Sequence, residues 1–144
     1  MLGPWTDIVI ETRDYIVYKD GFPVTEGHVL FVPKSQDWEH LSKCYKAAYA
    51  WGYDWVQSGY CDAYNIGQNC GKEAGQTVDY PHVHLIPRRK GDMEDPSGGV
   101  RHVIPAKGNY KSDSLGEEFL EYLEGMWSSK KQKEKQMAKA GDLI

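Results

Sequence analysis

The stretch Gln76–Arg89, reading QTVDYPHVHLIPRR, constrains this chain more than any other. His82 and His84 flank Val83, with Leu85 and Ile86 behind them, and this two-residue period predicts a strand that carries both imidazoles on one face. Tyr80 falls on the same face. The strand is entered from a loop containing Gly75, Gln76 and Thr77. Two neutral imidazoles side by side at the end of such a loop suit a nucleophile and a proton donor acting on a phosphoryl or nucleotidyl group. The same pair is compatible with a metal site, and with structural histidines on a half-buried polar face.

Composition narrows the setting. A chain of 144 residues is one domain by length and buries a core without disulfides or a structural metal. A formal net charge of -4 argues against broad nucleic-acid binding, so no nucleic-acid partner is expected. Cys44, Cys61 and Cys70 form no C-x-x-C pair and their odd number suggests no disulfide framework, which fits a reducing compartment. No apolar run approaches the roughly 20 residues that span a bilayer. The expectation is a cytoplasmic protein without a membrane partner.

Along the chain, Ile8–Ile10 and Tyr15–Tyr18 read as short strands, Lys19–Pro23 as a turn, and His28–Pro33 as a third strand that opens on another histidine. Ser35 is placed to cap a helix over Gln36 to about Gln57, whose Trp38, Leu41, Tyr45, Ala48 and Trp55-Val56 make one apolar face interrupted by Gly52. Ala63–Gly67 reads as the next strand. It leads into a glycine-rich loop, Gln68 to Gln76, in which Gly67, Gly71 and Gly75 free backbone N–H groups to turn towards an anion; a plain hairpin loop would look the same. Arg88–Lys90 form a local basic cluster, and GVRHVIP, with Arg101 and His102, reads as strand-like. Ser114–Glu117 is a capping-box pattern opening an amphipathic helix with Phe119, Leu120, Tyr122, Leu123 and Trp127. The domain is expected over residues 1–127, with 128–144 a charged C-terminal tail or helix extension.

Taken together, these pieces resemble the histidine triad (HIT) hydrolase superfamily. The family pattern, alternating histidines after a G-Q-[ST]-V lead, is matched by GQTV and then by Tyr80-Pro81-His82-Val83-His84-Leu85-Ile86. Separate matches are PVTEGHVL from Pro23 to Leu30, the acidic Asp20 ahead of it, and the loop Asn69-Cys70-Gly71. The resemblance implies an α+β fold: a HIT-like antiparallel β-sheet with one long packing helix and a C-terminal helix, forming a homodimer. It implies a nucleotide hydrolase that cleaves dinucleoside polyphosphates or nucleoside phosphoramidates at the α-phosphorus through a nucleotidyl-histidine intermediate. The implied substrate is a purine nucleotide containing adenosine.

Roles carry over by position. His82 matches the nucleophile; His84 and His28 match the histidines that contact phosphate or leaving-group oxygens. Asp20 matches the acceptor of ribose hydroxyls, and Asn69, Gln76 and Thr77 match polar contacts to the phosphates. No metal or cofactor is required, although a divalent cation can accompany the substrate phosphates. The departure is Tyr80, which stands where the pattern has its first histidine; the family holds its nucleophile through the backbone carbonyl there, which tyrosine also supplies. His84, where the transferase branch has glutamine, favours hydrolysis. The cysteine pair that binds zinc in some relatives is absent, so no structural zinc is expected. Two other readings stand beside the enzyme: an H-x-H metal protein in which His28 or His102 completes the site, and a nucleotide-binding module without significant catalysis. The base pocket is expected among Ile8, Ile16, Phe22 and Leu30.

Overall fold

The computed structural model describes residues 2–110 and 113–140, the side chains of 113–119 and 136–140 excepted. The chain divides into two compact units, Met1–Glu94 and Asp95–Ile144. The first holds five strands, β1 (Ile8–Glu11), β2 (Tyr15–Lys19), β3 (Val29–Pro33), β4 (Ala63–Gly67) and β5 (Val83–Arg88), with the helix α1 (Trp38–Gln57) between β3 and β4. They form one antiparallel sheet in the order β1-β2-β3-β5-β4, which places the histidine strand β5 between β3 and β4.

Side-chain alternation decides what each face of this sheet does. On one face Val17, Val29, Phe31, Val83 and Leu85 pack with Cys44 and Ala48 of α1. Phe31, Leu85, Val17 and Val83 are fully buried, and each such side chain contributes about 1.5–3 kcal/mol of burial. The alternate residues Ile16, Tyr18, Leu30 and Val32 form a smaller cluster on the other face, with Leu2, Trp5 and Tyr80 packed against it. In β5 the alternation is strict, with Val83, Leu85 and Pro87 buried and His84, Ile86 and Arg88 partly exposed. The histidines therefore open onto the face that α1 does not cover.

Helix α1 starts at Trp38, two residues later than the sequence suggests. Its cap is Asp37, not Ser35: the Asp37 backbone is extended and its Oδ1 accepts the His40 N–H at 2.8 Å, where a carboxylate also meets the positive end of the helix. Cys44, Ala48 and Gly52 are its buried residues, a stripe of small side chains that brings the helix close to the sheet. A Cβ on Gly52 would lie 2.5 Å from Tyr64 Cδ2 in β4, so the glycine that interrupts the apolar face is the point of closest approach.

The second unit contains two short 3-10 segments, Gly99–Val103 and Pro105–Lys107, and the helix α2 (Asp113–Ala140). The strand-like reading of GVRHVIP is thus corrected. Positive φ at Gly98 and Gly99 curls the chain so that the Arg101 N–H reaches Gly98 O at 2.9 Å, replacing a strand ladder by local bonds. The boundary expected at residue 127 falls inside α2, and the side chains of the capping-box residues Ser114–Glu117 lie outside the described ones. No helix of the described residues is long and apolar enough to cross a membrane.

Candidate active site

A cavity of about 400 Å³ opens on the helix-free face of the sheet, and His82, His84, Asp20, Asn69 and Thr77 all line it. Residues far apart in the chain meet here because β3 and β5 are neighbours: Leu30 pairs with His84 across the ladder. His82 immediately precedes β5. Its Nδ1–H donates to the Tyr80 carbonyl at 2.9 Å, which leaves Nε2 as the ring nitrogen turned away from that bond. The Tyr80 side chain goes elsewhere, donating its hydroxyl to Pro33 O at 2.6 Å within the smaller core cluster.

His84 belongs to a polar group of three residues with Asp20 and His28, of which His28 is buried. His28, only 3% exposed, places Nε2 2.9 Å from His84 Nδ1 and 3.3 Å from Asp20 Oδ2. Its Nδ1 accepts the Val24 backbone N–H at 3.1 Å. Burial lowers the pKa of His28 against the opposing pull of the Asp20 carboxylate. Burial, then the neighbouring His28 and His82 rings, push His84 down to about 4, again against Asp20. His28 and His84 are neutral imidazoles at pH 7. Asp20 is itself anchored, its Oδ1 accepting the Phe22 N–H at 2.7 Å.

The loop between β4 and β5 distributes its residues over two sides. Asn69, Gly75 and Thr77 border the histidine cavity, whereas Gln76 faces a second depression with Gly71 and Asp79. Gln76 Oε1 accepts the Gly71 N–H at 2.8 Å, and its Nε2 donates to the carbonyls of Val78 and Asp79 at 2.9 and 3.0 Å. The Gly75 N–H bonds Lys72 O at 2.9 Å. Two of the glycine amides expected to turn towards an anion are therefore spent inside the loop, and Gln76 is the staple that shapes it. Of the residues expected in a base pocket, Leu30 and the 93% exposed Phe22 line the cavity, while Ile16 sits in the core cluster beside it.

One wall residue is absent from the sequence reading. Trp5 packs its ring against His82 with centroids 4.8 Å apart and against Tyr18 at 5.9 Å. Nothing local marks it: it lies ahead of β1, and its ring partners are Tyr18 of β2 and His82 at the entry to β5. Among the described residues, the grouping able to offer three donor atoms to a metal is Asp20, His28 and His84. His102 belongs to the second unit, where its Nε2–H donates to Ser97 O at 2.9 Å.

An antiparallel sheet that presents His82 and His84 at a ligand-sized cavity, beside Asp20, Asn69 and Thr77, has the form of a small-molecule site. The chain belongs to the HIT domain family, whose model matches residues 5–91, more than half its length. It is 34% identical over 127 residues to an adenosine 5'-monophosphoramidase of Saccharomyces cerevisiae, covering 81% of this chain and 74% of the yeast one. Against a bis(5'-adenosyl)-triphosphatase of Dictyostelium discoideum it is 31% identical over 104 residues, 65% of this chain and 70% of the relative. Among solved structures, a zinc-bound histidine triad family protein from Mycobacterium smegmatis superposes with a TM-score of 0.56 at 28% identity, covering 61% of this chain and 69% of that one.

Proposed function

We propose that this chain is a nucleotide hydrolase that cleaves at the α-phosphorus of a nucleoside phosphoramidate or a dinucleoside polyphosphate, with an adenosine-containing nucleotide as substrate. The observation that carries the reading is the orientation of His82: its Nδ1–H is held by the Tyr80 carbonyl, and its remaining nitrogen lies at a cavity shared with His84, Asp20, Asn69 and Thr77. Relatives named as an adenosine 5'-monophosphoramidase and a bis(5'-adenosyl)-triphosphatase support the substrate class.

In this mechanism the Nε2 lone pair of His82 attacks the α-phosphorus, and the P–N or P–O bond to the leaving group breaks as the N–P bond forms. The leaving group departs stabilised by a hydrogen bond from the neutral His84 side chain and takes its proton from water. Water then displaces His82 from the phosphorus, releasing the nucleoside monophosphate and returning the neutral imidazole. Asp20 accepts hydroxyls of the ribose, and Asn69 and Thr77 contact phosphate oxygens. Tyr80 stands in for the first histidine of the triad by supplying its carbonyl. The protein requires no cofactor of its own and works as a cytoplasmic homodimer.

A single-turnover assay with an adenosine phosphoramidate and a diadenosine polyphosphate, in EDTA and with His82→Ala as control, tests this reading. Cleavage of at least one substrate is expected, with a loss of at least about 10³-fold in the variant. Full turnover by a folded His82→Ala protein would overturn it, and nucleotide binding without cleavage by the native chain would favour a binding module.

A further inference from the structure

The group of Asp20, His28 and His84 has a directionality that the residue types alone do not show. A ring nitrogen that accepts a hydrogen bond carries no proton, and the Val24 backbone N–H donates to His28 Nδ1 at 3.1 Å. His28 is buried and neutral, so its single proton sits on Nε2. That N–H meets two acceptors, His84 Nδ1 at 2.9 Å and Asp20 Oδ2 at 3.3 Å. Because His84 Nδ1 accepts, the neutral His84 ring must carry its own proton on Nε2, the nitrogen that His28 leaves free. The chain of donors runs one way: Val24 to His28, His28 to His84, His84 into the cavity.

The turn that presents this amide is pinned from several sides. Thr25 Oγ1 donates to Pro87 O of β5 at 2.7 Å, and Arg89 Nη1 donates to Glu26 O at 2.9 Å while its guanidinium lies 4.9 Å over the Tyr60 ring. Gly27, with φ of 94°, leaves room where a Cβ would strike the Tyr60 hydroxyl. The strand that carries His84 thus also fixes the amide that sets its tautomer.

We infer that the Val24 backbone amide is a positioning group that locks His28 and His84 as Nε2–H tautomers, and that this lock keeps divalent metals off the Asp20–His28–His84 grouping. Three donor atoms converge there within 4.8 Å, which by residue type suits zinc. A zinc ion bound to His28 Nε2 would need that nitrogen's lone pair. The proton would have to move to Nδ1, where it would point at the Val24 N–H and leave that donor unpartnered in a part-buried turn. The donor set has the right chemistry and the wrong tautomer.

The lock rests on the proposed hydrolase only in making His84 the donor to a leaving group, and both readouts below are independent of turnover. Multiple-bond ¹H–¹⁵N spectra of the intact, untagged chain are expected to show His28 and His84 protonated on Nε2 alone at neutral pH. A proton on His28 Nδ1 would overturn the lock. Val24→Pro deletes the donor at a side chain that is 71% exposed, and Val24→Ala keeps it. Titrated with zinc chloride, Val24→Pro is expected to bind roughly tenfold more tightly than the native chain, and Val24→Ala like the native chain. Equal affinity in all three would overturn the exclusion of metal; should Val24→Pro not fold, the spectra of the native chain decide alone.

Discussion

Tyr80 serves the site through its backbone and the core through its side chain. The carbonyl accepts from His82 Nδ1, while the phenol donates to Pro33 O at 2.6 Å among Ile16, Tyr18, Leu30 and Val32. Burial raises the phenol's pKa, as expected of a hydroxyl used as a donor away from water. Tyr80→Phe is expected to lose about 1 kcal/mol in urea unfolding, the value of one such bond, while His82 keeps its Nδ1 proton in NMR spectra. Loss of that proton would mean that the phenol orients the ring. Residues such as His28, His82, His84 and Asp20 were legible because the chemistry resides in their side chains. Val24 acts through a backbone N–H that every residue but proline possesses, so its letter carries almost no signal; Tyr80 was marked by its place in the pattern and not by its phenol, and Trp5, ahead of β1, meets His82 only in the fold.

At the scale of elements, periodicity was legible wherever a face was buried. The alternation in Val83–Arg88 and the helix over Trp38–Gln57 follow directly from it. The loop Gln68–Gln76 was not, because glycines permit many paths and the Gln76 staple selects one of them. Gly52 shows a local rule giving way to packing. Read in the chain it weakens a helix; in the fold it admits Tyr64. Gly52→Ala should gain about 1 kcal/mol of helix propensity and lose about 1–3 kcal/mol to overpacking, for a net destabilisation measurable by thermal melting. A more stable variant would show that the Tyr64 ring yields without cost.

The whole molecule carries its histidine pair as a liability in acid. For His84 the folded pKa of about 4 lies below the unfolded value of 6.5, so between these limits the unfolded chain binds more protons than the folded one. Stability therefore falls as pH drops from 6.5 to 4, by roughly 3 kcal/mol for this group, and His28, depressed in the same direction, adds to the loss. The depressed carboxylates, Asp92 at about 2 among them, act only below the ordinary aspartate range of 3.8. Urea titrations at pH 7 and pH 4.5 should show the loss, and His84→Asn should flatten it. An unchanged pH slope in that variant would mean that His84 titrates normally.

Strand β5 gives this arrangement a consequence for how the molecule matures. The residues that interleave Val83, Leu85 and Pro87 with His84 are those of one six-residue strand, and a slip of a single residue would send the imidazole to the helix and an aliphatic chain to the cavity. A misaligned chain has neither a closed interior nor its imidazoles side by side. Assembly of the fold thus acts as its own proofreading step: a molecule that has become durable enough to persist has already set its imidazoles in place.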